Sequence, residues 1–88
     1  MGKFGITRIR PGDQALWERM NAEAFSLCRE YTPRPQAIAA LIALAGDNPR
    51  AFKTIGGKRT RGLHRTPEGQ EVLRLLADAA IEFNKSGR

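Results

Sequence analysis

The chain has 88 residues, 41% of them apolar, and a formal net charge of +6. That length holds one small domain with a thin core, to which a second copy or a ligand would add. The composition excludes a disordered chain and a membrane protein. The one cysteine, Cys28, excludes an internal disulfide and a Cys-rich zinc site, and fits the cytoplasm or another reducing compartment.

Residues 3–10, K-F-G-I-T-R-I-R, read as a short strand in which Phe4 and Ile6 alternate and Ile9 falls out of period. They contain no apolar run of the kind a signal peptide needs. Pro11-Gly12 stops the strand. Asp13 is placed to cap a first helix that runs to about Tyr31. Trp17, Met20, Ala24, Leu27 and Tyr31 recur at spacings of three and four, widened by Leu16, Phe25 and Cys28. The stripe reads as core, so its aromatic residues are expected to pack and Cys28 to be an inert thiol.

Thr32-Pro33 opens a second helix with a capping hydroxyl and a proline at the first helical position. Its body, Ala37–Ala45, is apolar all round and is expected to be buried on every side, against both other helices or a homodimer partner. Nine residues cannot span a bilayer. Gly46 ends this helix. Asp47-Asn48-Pro49 then offers a short helical turn at Arg50-Ala51-Phe52, in competition with a strand.

The stretch from Arg50 to Thr66 carries six bases and no acid. Gly56-Gly57 stands between two runs that read as strands, the signal of a tight hairpin. Lys58, Arg59, Arg61 and Arg65 are the expected phosphate contacts, with Arg59 or Arg61 entering a groove from the tip. Arg50 and Lys53 lie on the incoming arm. His64 contacts phosphate or a base, or else fills a half-buried strand position. Arg8 and Arg10 extend the positive surface if the first strand lies beside the hairpin. Finally, Thr66-Pro67-Glu68 opens a third helix with Val72, Leu76, Ala79 and Phe83 on one face. Gly69 in its first turn costs about 1 kcal/mol against alanine.

The expected fold is therefore α+β and mostly helical, one domain over residues 1–88. It has three helices, a short N-terminal strand and a basic β-hairpin between helices 2 and 3. The positive excess lies in residues 1–12 and 50–66, while the helical segments are slightly acidic. That segregation points to nucleic acid as partner, DNA ahead of RNA, with a regulator or a mobile-element accessory factor as the setting. The alternative is a protein-binding modulator that docks the same hairpin on an acidic protein surface. No catalytic residues, metal site or cofactor are expected: Cys28 has only the distant His64 as a base, and no second histidine or cysteine is present.

Residues 55–80 resemble the wing and following helix of MarR-like winged-helix DNA-binding domains. The match lies in Leu63-His64-Arg65-Thr66-Pro67-Glu68-Gly69, then Gln70-Glu71-Val72-Leu73. The resemblance implies that Lys58, Arg59 and Arg61 are wing residues near the DNA backbone or minor groove. Such families place a recognition helix before the wing, and here only ten residues separate Ala45 from Gly56. A second resemblance, to the ribbon-helix-helix family, rests on the order strand, helix, then Thr32-Pro33-Arg34-Pro35-Gln36-Ala37-Ile38.

Overall fold

A computed structural model describes residues 11–52 and 62–86 of the protein. They form helices α1 (Pro11–Arg29), α2 (Arg34–Ala45) and α3 (Pro67–Lys85), with a single 3-10 turn at Leu63–Arg65. Each α-helix packs against the other two.

The apolar stripes read from the sequence become the core. Trp17, Met20, Ala24 and Leu27 of α1 meet Ala37, Leu41 and Ala45 of α2 and Val72, Leu75, Leu76, Ala79 and Phe83 of α3, all buried. Each large member contributes about 1.5–3 kcal/mol relative to exposure. Phe52 adds its ring from outside the helices, 5.0 Å from the Phe83 centroid. It thereby anchors the 46–52 connection to α3.

The expected α+β fold is corrected: the described residues are helical and contain no strand or sheet. Both arms of the hairpin fail where they can be followed. On the incoming side, residues 49–52 form turns. The Asn48 side chain accepts from the Arg50 N–H at 2.8 Å and the Asn48 carbonyl from the Ala51 N–H at 3.1 Å. An Asx-type turn therefore outcompetes the strand. On the outgoing side, Gly62 sits at φ +88 and the Arg65 N–H bonds back to the Gly62 carbonyl, which winds Leu63–Arg65 into a 3-10 turn. The strand signal there was one half-buried leucine between polar residues, a pattern a single turn satisfies equally well. The hairpin tip at Gly56-Gly57 and the N-terminal strand at residues 3–10 lie outside the described residues.

The helix ends needed smaller corrections. α1 begins at Pro11, so Asp13 belongs to its first turn and does not cap it. α2 begins at Arg34 after an extended Pro33, with no side-chain cap from Thr32. Nor is α2 buried on every side: Ala37, Leu41 and Ala45 form one buried stripe, while Ala39 and Ala43 are exposed. Alanine needs no partner to be helical, so an uncharged face did not require a covered one.

Thr66 caps α3 as expected, its hydroxyl accepting from the Gly69 N–H at 2.9 Å. Gly69 has a use the sequence did not reveal. A Cβ there would stand 2.7 Å from the carbonyl carbon and 2.9 Å from the Cα of Leu63, and closer still to its oxygen. The missing side chain lets the 3-10 turn lie directly on the first turn of α3.

Candidate nucleic-acid interface

Among the expected contact residues, Arg50 has another role. Asp13 is 7% exposed, and its carboxylate accepts from the Arg50 Nε at 3.0 Å and from the Asn48 amide at 3.4 Å. The Arg50 carbonyl in turn accepts from the Trp17 indole at 3.2 Å. A buried carboxylate needs such a partner, so Arg50 is held by the fold and ties the 46–52 connection to α1. His64 and Arg65 are exposed on the 3-10 turn, where the Gln70 amide donates to the His64 carbonyl at 3.0 Å. Arg65 forms no ion pair among the described residues. Arg8, Arg10, Lys53, Lys58, Arg59 and Arg61 lie outside the described residues.

Five of the seven described cations, Arg50 among them, pair with carboxylates. Arg29 bonds Glu68 at 2.8 Å, Arg34 bonds Asp78 at 2.8 Å and approaches Glu71 at 3.7 Å, and Arg74 bonds Glu71 at 2.6 Å. Lys85 lies 3.8 Å from Glu82. All nine acidic residues of the chain fall among the described residues, beside seven of the fifteen Lys and Arg. The helical body therefore carries −2, and the whole positive excess belongs to residues 1–10, 53–61 and 87–88.

Sequence reasoning missed a second feature, at the junction of the three helices. α1 ends at Arg29, and Tyr31 follows in the left-handed region at φ +55. The Thr32 N–H bonds the Leu27 carbonyl at 3.0 Å and the Tyr31 N–H the Cys28 carbonyl at 3.2 Å. This is a Schellman ending with tyrosine in the place glycine usually takes. Tyr31 is consequently not core: it is 91% exposed. A signal for this was present, because Thr32 precedes a proline and is biased away from helix, so the helix had to close before it.

Beside Tyr31 lies a cleft of about 360 Å³ whose lining includes Leu27, Cys28, Arg34, Ala37, Glu71 and Leu75. Burial pushes the Cys28 thiol up; Glu71 and Glu68 add to the push, and Arg34 opposes it. The thiol is thus protonated at neutral pH, a poor nucleophile. No cluster of three His, Cys, Asp or Glu able to hold a metal occurs among the described residues. No described helix is long and apolar enough to cross a membrane.

No family model, curated protein or solved structure matches this chain.

Proposed function

We propose that this protein binds nucleic acid, DNA ahead of RNA, through the cations of the basic stretch, namely Lys53, Lys58, Arg59, Arg61 and Arg65, with Arg8 and Arg10 adding to them. His64 stands beside Arg65 on the same turn. The observation that carries the reading is the division of charge. Five of the seven described cations pair with carboxylates and the described body keeps a net −2, while seven of the other eight bases lie in residues 1–10 and 53–61, which contain no acid. A polyanion is the partner that such a distribution attracts. Arg50 is left out of the contact set because it is committed to Asp13.

The test is a titration with duplex DNA, single-stranded DNA and RNA over a range of salt. Arg59→Ala and Arg61→Ala should each weaken binding and flatten the salt slope by about one unit per lost phosphate contact. Unchanged affinity in both variants would remove the basic stretch from the interface. A well-folded protein that binds none of the three would favour the acidic protein surface instead.

A further inference from the structure

Arg19 and Glu23 of α1 are exposed and enter none of the ion pairs found among the described residues. Four residues apart on a helix, they share one edge. The other edge of α1 faces α3: Arg29 lies 5.4 Å from the centre of the Phe25 ring and bonds Glu68. Helix α2 gives Arg34 to α3 in the same way, through Asp78 and Glu71. By helical periodicity Ala40 and Leu44 lie on the edge of α2 away from Arg34, and Leu16 lies with Arg19 and Glu23 on α1. Since α1 and α2 pack on each other, these two edges adjoin and make a two-helix face. Leu16, Ala40 and Leu44 form its floor, partly buried against the core, and Ala43 stands exposed beside them. Between Arg34 and Asp47 the sequence of α2 contains no charge. Arg19 and Glu23 are therefore the charges at the middle of an otherwise apolar face.

One cation and one anion a turn apart make a face complementary to itself. A second copy turned end for end brings its Glu23 to Arg19 and its Arg19 to Glu23, the reciprocal pattern of a two-fold interface. The register of the two helices agrees. They run antiparallel, because Leu27 and Ala37 line one cleft at one end and Asp13 bonds Arg50 at the other. The midpoint between Arg19 and Glu23 is thus level with Ile42 and Ala43, and the small side chain of Ala43 permits close approach where the two-fold axis would pass. We infer that the α1/α2 face joins two copies of this chain in an antiparallel dimer, with Arg19 paired to the partner's Glu23 and Glu23 to the partner's Arg19. The inference goes beyond the nucleic-acid reading and does not depend on it.

The test is sedimentation velocity of the full chain, free of nucleic acid, over a range of concentration at low salt. The parent should show a dimer that grows with concentration. Arg19→Glu and Glu23→Arg each turn both reciprocal contacts into like-charge pairs, and each should weaken self-association by about ten-fold or more. An equal mixture of the two variants should form a heterodimer close to parental affinity, because both contacts again oppose unlike charges. That recovery separates pairing from any folding defect. Ala43→Glu sets an unpaired charge at the centre of the face and should abolish the dimer, with the helical circular dichroism unchanged. Ile81 is exposed on α3, clear of this face, so Ile81→Glu should leave self-association as in the parent.

Three results would overturn the inference. A parent protein that stays monomeric even at millimolar concentration has no such interface. A dimer that survives both charge reversals and Ala43→Glu is built on another face. If the two reversed variants are each monomeric and their mixture is monomeric too, the reciprocal Arg19–Glu23 contacts do not form. None of these outcomes touches the nucleic-acid reading, whose own titration decides it.

Discussion

Two glycines in first turns of helices should respond to the same substitution with opposite signs. Gly12 in α1 has nothing within 4 Å of where a Cβ would be, whereas Gly69 in α3 faces the backbone of Leu63. For Gly12→Ala only helix propensity operates, and near a helix end it should stabilise by roughly 0.5 kcal/mol, below the full 1 kcal/mol of an interior site. For Gly69→Ala the same gain is opposed by contacts of 2.7 and 2.9 Å to Leu63 atoms. Carbon atoms pack at 3.5–4.0 Å, so the 3-10 turn or the helix must move by about 1 Å. The obstacle is backbone and no rotamer can relieve it, so the cost should fall near the top of the overpacking range, about 3 kcal/mol. The net effect is a destabilisation of about 2 kcal/mol, or a fall in Tm of roughly 8–16 °C for a domain of this size. Gly12→Ala should raise Tm by about 2–4 °C. Thermal and urea unfolding followed by far-ultraviolet circular dichroism measures both. A Gly69→Ala protein as stable as the parent would refute the close approach of the 3-10 turn to α3.

Asp13→Ala should destabilise by about 2 kcal/mol, because it removes the partner of Arg50 and an acceptor for Asn48; the half-exposed guanidinium keeps the loss below that of a fully buried pair. Urea unfolding checks this, and a loss under half that size would show the triad to be ornamental. Tyr31→Gly should gain about 1 kcal/mol from release of the left-handed tyrosine, read from the same unfolding curves. The raised Cys28 thiol should give a pH–rate midpoint for maleimide labelling above the usual 9.0. Its linkage has a definite sign: above that value the unfolded chain ionises first, so stability falls as pH rises toward the folded-state pKa, and Cys28→Ser should flatten this part of the pH–stability curve.

The helices were legible because the sequence repeats their evidence: apolar residues at spacings of three and four, and Thr66-Pro67 at the start of α3. The strands were misread because their evidence was thin. Leu63 between Gly62 and His64 fits one alternation of a strand and one step of a 3-10 turn, and the choice is made by Gly69, six residues on, whose bare Cα accepts the turn. The pairing of Arg50 was hidden for a similar reason. Its partner Asp13 lies 37 residues away, and nothing local distinguishes a cation committed to a buried carboxylate from one facing solvent. The cleft at Tyr31 was hidden by periodicity itself: Tyr31 continues the stripe of α1 in register, and only the geometry of the helix ending turns it outward.

The ion pairs on the body bear on binding more than on stability. Most are exposed, and such pairs contribute about 0–1 kcal/mol each. Their consequence is that Arg29, Arg34, Arg74 and Lys85 have carboxylates beside them and offer a polyanion little. With the described body at −2, a polyanion meets weak net repulsion from the helical faces. Screening limits that influence to about 10 Å at moderate salt. Tyr31 and its cleft lie beside the Arg29–Glu68 bond, which ties the end of α1 to the start of α3 just after the turn that carries His64 and Arg65.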